Sequence, residues 1–212
     1  MGRNRYKNRS KTESIRNDFL NYVDTNTNKI EIEGMEKMGK TLEIDIYTDI
    51  FITYFFFRCD CKNMESVSET EYLQGLEYFN CNTLEEVKNQ INYVREDLLD
   101  FQSNEFKEFY KFLFTFNASK ILSIDVIEVY FQNLFYNKYP ITKEFIQFLK
   151  ETKQGLNKDQ WECFLDFILY EGNEFPKNYD CGSFYPLIYD KFYEWYCDLH
   201  KIPREKNEDD EC

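Results

Sequence analysis

The residues of this sequence that could do chemistry are seven cysteines, one histidine and two loops rich in side-chain oxygens. Cys59-x-Cys61 is the only close thiol pair, and no second pair follows at zinc-finger spacing, so no zinc site is expected. Cys81, Cys163, Cys181, Cys197 and Cys212 are scattered. An odd number of thiols with no secretory apolar stretch reads as reduced cysteines in a cytoplasmic and/or nuclear protein. His200 could serve Cys-His or Ser-His-Asp catalysis only by meeting one particular thiol or serine. A lone histidine near a chain end reads instead as a surface or helix-end residue. No catalytic residue, metal or cofactor is expected.

The two oxygen-rich loops imitate calcium loops. Asp24, Asn26 and Asn28 supply oxygens at positions 1, 3 and 5 of an EF-hand, but Lys29 stands where the turn needs glycine and Met35 where a bidentate glutamate belongs. In Asp60 to Glu71 the ends fit, with Asp60, Val67 and Glu71 at positions 1, 8 and 12, while Lys62, Met64 and Glu65 occupy the middle. A lysine among the ligand positions repels the cation. What survives is the helix-loop-helix frame of two degenerate EF-hands, without calcium.

The elements around those loops read as helical almost throughout. Capping boxes at Ser10-x-x-Glu13, Ser68-x-x-Glu71 and Thr83-x-x-Glu86 mark helix starts. Ile15, Phe19 and Tyr22 or Val23 follow the first at a helical period, Tyr72, Leu76 and Phe79 the second, and Val87, Ile91, Val94 and Leu98 the third. Further helices are expected over 105–116, 124–136, 143–152, 158–170 and 186–199, with Pro186 at a first helical position. The segment 47–57 would suit a buried strand as well as a helix, but no second strand exists to pair with it, and seven glycines and four prolines are too few punctuators for an all-β chain. The expectation is an all-α domain of two EF-hand-like halves.

With 21 Phe and 17 Tyr in 212 residues, the chain can bury a large apolar area despite its polar average. Its 26 basic and 39 acidic residues give a net charge of −13, so it has no basic face for nucleic acid, and its electrostatic partners should be basic. Residues 1–11 hold five bases and no acid, leaving 21 bases against 39 acids, or −18, beyond them. They read as a basic disordered tail, and 201–212 as an acidic one. Met1-Gly2 could begin a myristoylation signal, but Tyr6 stands where Ser or Thr is wanted, so no membrane partner is expected.

Three segments then point to one family. They are Glu105-Phe-Lys-Glu-Phe-Tyr-Lys-Phe-Leu-Phe-Thr-Phe116, Asn157-Lys-Asp-Gln-Trp-Glu-Cys-Phe-Leu-Asp-Phe167, and Asn178-Tyr-Asp180 followed by Pro186-Leu-Ile-Tyr-Asp190 and Phe192-Tyr-Glu-Trp195. In order and gaps, with the degenerate loop, the Arg58-Cys segment and a Tyr72-Leu-Gln-Gly75 turn, residues 12–197 resemble the potentiating-neddylation domain of the defective-in-cullin-neddylation family. The ubiquitin-binding helical domain that precedes it in some members is not in this sequence.

The resemblance implies a non-catalytic scaffold for protein neddylation, spanning 12–200. One surface would hold the winged-helix end of a cullin and another the N-acetylated end of the neddylation conjugating enzyme. Carried over by position, the cullin-facing patch falls on Asp159, Phe184 and Asp190, with Phe184 replacing a small residue, and the pocket for acetylated methionine falls on Ile32, Ile50, Tyr54, Phe57, Val67, Phe116, Tyr130 and Leu134. Without the resemblance, Asp159 reads as a helix-start acid, Asp190 as a solvated residue and the pocket set as core. Two other readings stay open. One is a calcium-independent degenerate EF-hand module that takes amphipathic helices. The other is a small enzyme using Cys59, Cys61 or His200.

Overall fold

The aromatic residues at helical spacing assemble into eleven helices among the described residues of a computed structural model, which covers 2–62, 64–177, 179–182 and 184–203. Side chains are described from Lys11 onward. Met1 of the possible lipidation signal, Asn178 of the Asn-Tyr-Asp motif, Cys212 and residues 204–212 of the acidic tail lie outside the described residues. Among the described residues the chain is all-α apart from one two-stranded sheet of two-residue strands, and it divides into two compact units, Met1–Ser119 and Lys120–Cys212.

The first unit holds α1 (Gly2–Phe19), α2 (Ile32–Leu42), α3 (Ile50–Arg58), α4 (Glu69–Tyr78), α5 (Leu84–Lys88), α6 (Ile91–Asp97) and α7 (Asn104–Phe116). Its two imitation calcium loops are joined as EF-hand loops are, by a single antiparallel bridge. The Ile30 and Val67 amides each donate to the other's carbonyl at 2.8 Å. Three of the would-be ligands have protein partners. Asp24 accepts from the backbone amides of Asn26 and Thr27 at 2.7 and 3.2 Å, Asp60 pairs with Lys62 at 2.7 Å, and Glu71 accepts from the Ser68 amide and hydroxyl at 2.7 and 2.6 Å. Glu71 thus closes a reciprocal capping box with Ser68.

Asp18 ties this unit together. One of its oxygens accepts from the Tyr72 hydroxyl at 2.6 Å and from the Leu84 amide at 2.8 Å, joining α1 to α4 and to the start of α5. Burial, reinforced by that carboxylate, pushes the Tyr72 phenol far above its ordinary range, so it remains a donor. Around this bond Phe55 stacks on Phe79 at 5.9 Å, and Phe19 and Tyr22 lie against Tyr72. At Gly75 a Cβ would stand 2.3 Å from the Cys59 sulfur, so only glycine lets α4 approach the end of α3 this closely.

The second unit contains β1 (Ile121–Leu122), α8 (Ile124–Leu134), α9 (Ile141–Thr152), β2 (Leu156–Asn157), α10 (Lys158–Tyr170) and α11 (Leu187–His200). The strands pair antiparallel, Leu122 opposite Leu156, and so link the loop before α8 to the loop before α10. Phe164 sits 4.3 Å from Phe131 and 4.9 Å from Phe145, and Phe145 meets Phe192 edge-on at 4.9 Å. These contacts join α8, α9, α10 and α11, each ring pair worth roughly 0.5–1.5 kcal/mol beyond the area it buries.

Several local expectations need correction. The backbone is helical from Gly2, so Ser10 lies inside α1 and cannot be its N-cap. Thr83 does cap α5, but the Glu86 carboxylate takes the Asn82 amide rather than completing the box, and the helical run expected through Val87, Ile91, Val94 and Leu98 divides at Asn89 and Gln90 into α5 and α6. Pro186 is the cap residue before α11, in extended conformation, rather than its first helical residue. Tyr72-Leu-Gln-Gly75 is helical, not a turn. The ambiguous segment 47–57 is helical from Ile50, started by Asp49, whose carboxylate accepts from the Phe51 amide at 2.9 Å. No helix among the described residues is long and apolar enough to cross a membrane.

Two outcomes follow from this packing. Gly75→Ala should lower stability by about 1 to 3 kcal/mol through overpacking against Cys59, read as a lower urea midpoint at unchanged slope. Glu151 accepts from Gln147 at 2.9 Å and from the Trp195 indole at 2.7 Å, which hold its carboxyl below the usual range. A depressed folded value means this contribution is present above the unfolded value and is lost as pH falls through the folded one. Trp195 fluorescence should therefore change at a pH below ordinary carboxylate titration, and Glu151→Gln should lack that step.

Candidate functional site

The second unit presents its carboxylates at the amino-terminal ends of two helices that are held together. Asn157 and Gln160 cap α10 reciprocally, at 2.9 and 3.0 Å, so the exposed Asp159 in the first turn has no capping duty and lies in the favourable field of the helix end. The Tyr189 hydroxyl donates to the Gln160 carbonyl, which brings the first turn of α11 to the first turn of α10.

Asp190 is not an ordinary solvated residue. It is half-buried, and one oxygen accepts from the Tyr179 hydroxyl at 2.8 Å and from the Gly182 amide at 3.3 Å. Gly182 has φ +78°, a conformation other residues rarely adopt, so the turn before α11 is built on this glycine and pinned by this carboxylate. Burial, with Asp190 second, pushes the Tyr179 phenol well up and keeps it a donor. Phe184 stands in the same loop with its ring fully in solvent. The Cys163 thiol, one turn after Asp159, is pushed up by burial and then by Asp159, Asp166 and Glu162. The structure therefore places Asp159 and Asp190 in the first turns of the two joined helices, and Phe184 in the loop before α11, where it shares a cleft with Asp166 and Tyr170 of α10.

The apolar set divides between the units. Ile50, Tyr54, Val67 and Phe116 are buried in the first unit, Phe57 is half-buried, and Ile32 is 51% exposed. Tyr54 and Phe57 are in contact at 6.0 Å, and Phe57 reaches Phe116 through Phe112, at 5.2 and 4.7 Å. Tyr130 and Leu134 are buried residues of α8 in the second unit, where Tyr130 meets Trp161 edge-on at 6.0 Å.

Sequence reading missed a cluster beside this set. The Arg58 guanidinium lies 4.2 Å from the Tyr78 ring centre, 4.6 Å from that of Phe57 and 5.0 Å from that of Tyr54, and it pairs with Glu105, which also accepts from the Tyr54 hydroxyl. Only the i, i+4 spacing of Tyr54 and Arg58 signalled it. Burial is the main reason the Tyr54 phenol is pushed up, with Arg58 opposing. Arg58, Phe57, Asp60, Gln74 and Tyr78 line an open cleft of about 440 Å³. Tyr54 and Glu105 reach a second cleft of about 300 Å³ whose other acids are Glu96, Asp97 and Asp100.

The residues considered for catalysis do not assemble. His200 meets Glu144 at 2.9 Å and the Tyr196 ring at 4.3 Å. Cys59 and Cys61 are buried, and burial, with Cys61 second, pushes the Cys59 thiol well above its ordinary range, the reverse of an activated nucleophile. Among the described residues no group of three or more His, Cys, Asp or Glu side chains is placed to hold a metal ion.

Residues 86–195, just over half of the chain, match the protein family described as cullin binding. DCN1-like protein 4 of Homo sapiens is 30% identical over 184 residues, 85% of this chain and 61% of that protein. DCN1-like protein 5 of Bos taurus is 28% identical over 174 residues, 80% of this chain and 70% of that protein. DCN1-like protein 2 of Dictyostelium discoideum is 30% identical over 159 residues, 72% and 58% of the two chains. The chain thus spans well under the full length of each of these relatives.

Asp190→Ala should release the Gly182 amide. Its hydrogen exchange should quicken by roughly fivefold, the equivalent of about 1 kcal/mol, while the Gly172 amide, bonded to Ile168, keeps its rate.

Proposed function

Because the chain belongs to the cullin-binding family, we propose that it promotes cullin neddylation as a two-site scaffold, without bond-making residues of its own. The observation that carries this reading is the exposed Asp159 beside the pinned Asp190 turn on an acidic chain. Carboxylates held at the joined ends of two helices offer a basic partner a preformed surface, which raises its on-rate and fixes its orientation. In this reading the partner is the winged-helix end of a cullin, met in the cytoplasm, the nucleus or both. The second partner is the neddylation conjugating enzyme, whose thioester would be held near the cullin lysine, so that an encounter becomes a nearly intramolecular step.

Acetylation matters to the second partner for a physical reason. A free amino terminus would enter an apolar site as an ammonium ion at a heavy desolvation cost, whereas the acetylated one brings a neutral amide. Burying the methionine side chain contributes roughly 1.5–3 kcal/mol. Ile32 and Phe57 are the members of the first unit's set that solvent reaches, and its buried members would have to yield to admit the methionine. The bridged pair of degenerate loops favours one other reading, a module that receives an amphipathic helix.

Titration with a cullin C-terminal domain tests the first site. Asp159→Lys should weaken binding at least about tenfold, or 1.4 kcal/mol, with an unchanged circular dichroism spectrum. Asp190→Lys should weaken it too, and unchanged binding by both variants would remove the patch. An acetylated conjugating-enzyme peptide should bind more tightly than its unacetylated form, and Phe57→Gln should erase that preference while retaining helicity. Recovery of unrelated amphipathic helices in place of both partners would favour the second reading.

A further inference from the structure

The exposed face of α10 continues beyond Asp159 into a concave feature that the two-carboxylate patch does not use. Residues 159, 163, 166 and 170 recur at helical spacing, so Asp166 and Tyr170 follow Asp159 along one face. Beside them the loop leading to α11 closes an open cleft of about 420 Å³, whose lining includes Asp166, Tyr170, Glu171, Asp180, Phe184 and Tyr185. That volume suits a side chain rather than a helix.

Two independent features describe what would fit. The first is aromatic. Phe184 is wholly exposed and Tyr170 is 78% exposed, two large rings facing water on the walls of one cleft, whereas Tyr185 is anchored below them against Phe167 and Tyr189 at 5.8 and 5.6 Å. The second is unbalanced charge. The unit's ion pairs among the described residues join Lys150 to Glu128 and Lys158 to Glu162, Glu144 is taken up by His200, and Asp166, Glu171 and Asp180 have no cationic partner among the described residues. Their field converges at the cleft. The Tyr185 phenol is pushed up to about 12, chiefly by burial and then by Glu171 and Asp166.

An aromatic wall over unpaired carboxylates is complementary to a flat, delocalised cation. A guanidinium stacks on a ring face while its edge donates to carboxylates, and its weak hydration lets it leave water more cheaply than an ammonium ion. We propose that this cleft receives an arginine side chain of the bound protein partner, stacked on Phe184 and Tyr170 and paired with the carboxylates of Asp166, Glu171 and Asp180. The partner's identity rests on the cullin reading above, while the chemistry of the cleft does not. Phe184, where that family has a small residue, becomes the specificity-determining side chain of the patch.

Two measurements on the whole chain separate the claims. In NMR titrations with N-acetyl-arginine amide, signals of Tyr170, Phe184 and Tyr185 should shift. The lysine analogue should bind at least about threefold more weakly, the neutral citrulline analogue should leave the signals in place, and Phe184→Ala should abolish the response. Equal shifts with arginine and citrulline, or shifts confined to other surfaces, would overturn the proposal. Against a cullin C-terminal domain, Phe184→Ala should reduce affinity by roughly five- to tenfold, and since that ring contributes nothing to the core the variant should fold normally. If Asp159→Lys weakens cullin binding and Phe184→Ala does not, the arginine cleft is wrong and the cullin reading stands. If cullin fails to bind while the arginine shifts appear, the cleft stands and the cullin reading falls.

Discussion

The hydrogen bond from the Tyr189 hydroxyl to the Gln160 carbonyl is the constraint on which the candidate surface depends. A carboxylate in the first turn of a helix is unremarkable alone, because any helix start favours one. Two helix starts fastened to each other, with a third segment pinned beside them by Asp190, make a preorganised surface. A partner that meets it need not order flexible acids first, and that saving in entropy separates a binding surface from scattered negative charge.

Aromatic packing supplies the rigidity behind that surface. Phe145, Phe164, Tyr189 and Phe192 come from three helices and touch in pairs at 4.9 to 5.9 Å, so α9, α10 and α11 cannot shift independently. The chain's unusual content of Phe and Tyr therefore serves position as well as burial. In the first unit the same residue types lead elsewhere. The rings near Tyr54 enclose Arg58, and the Arg58–Glu105 pair and the Tyr54 hydroxyl form one connected polar group at the edge of an apolar set.

The degenerate calcium loops show how a frame outlives its ligand. The oxygens of Asp24, Asp60 and Glu71 that a cation would gather are bonded to backbone amides, to Lys62 and to the Ser68 cap, and the Ile30–Val67 bridge that couples paired loops remains. Protein donors satisfy in fixed geometry what a metal would otherwise satisfy, so the helix-loop-helix pair keeps its shape. The second unit repeats the device with the short ladder of Leu122 and Leu156.

Much of the fold was legible from local signals. Helical periodicity located most helices to within a residue or two, and the Ser68 cap acts within four residues of its own chain, where sequence alone specifies geometry. The signals misled where a neighbouring donor competed, as when the amide of Asn82, one residue before the cap, took the Glu86 carboxylate meant for the box, and where the α1 helix ran through Ser10. The candidate site residues were likewise nominated by likeness. Their state was not. Ile32 lies in water while its companion Val67 is buried, and Asp190 was expected in solvent but holds a turn. By itself the sequence determined helical class, loop degeneracy and the acidic character of the surface, because these depend on neighbouring residues and on composition. Which carboxylates are free, which rings face solvent and where Arg58 finds its cage were decided by tertiary structure, because each depends on contacts between residues distant along the chain.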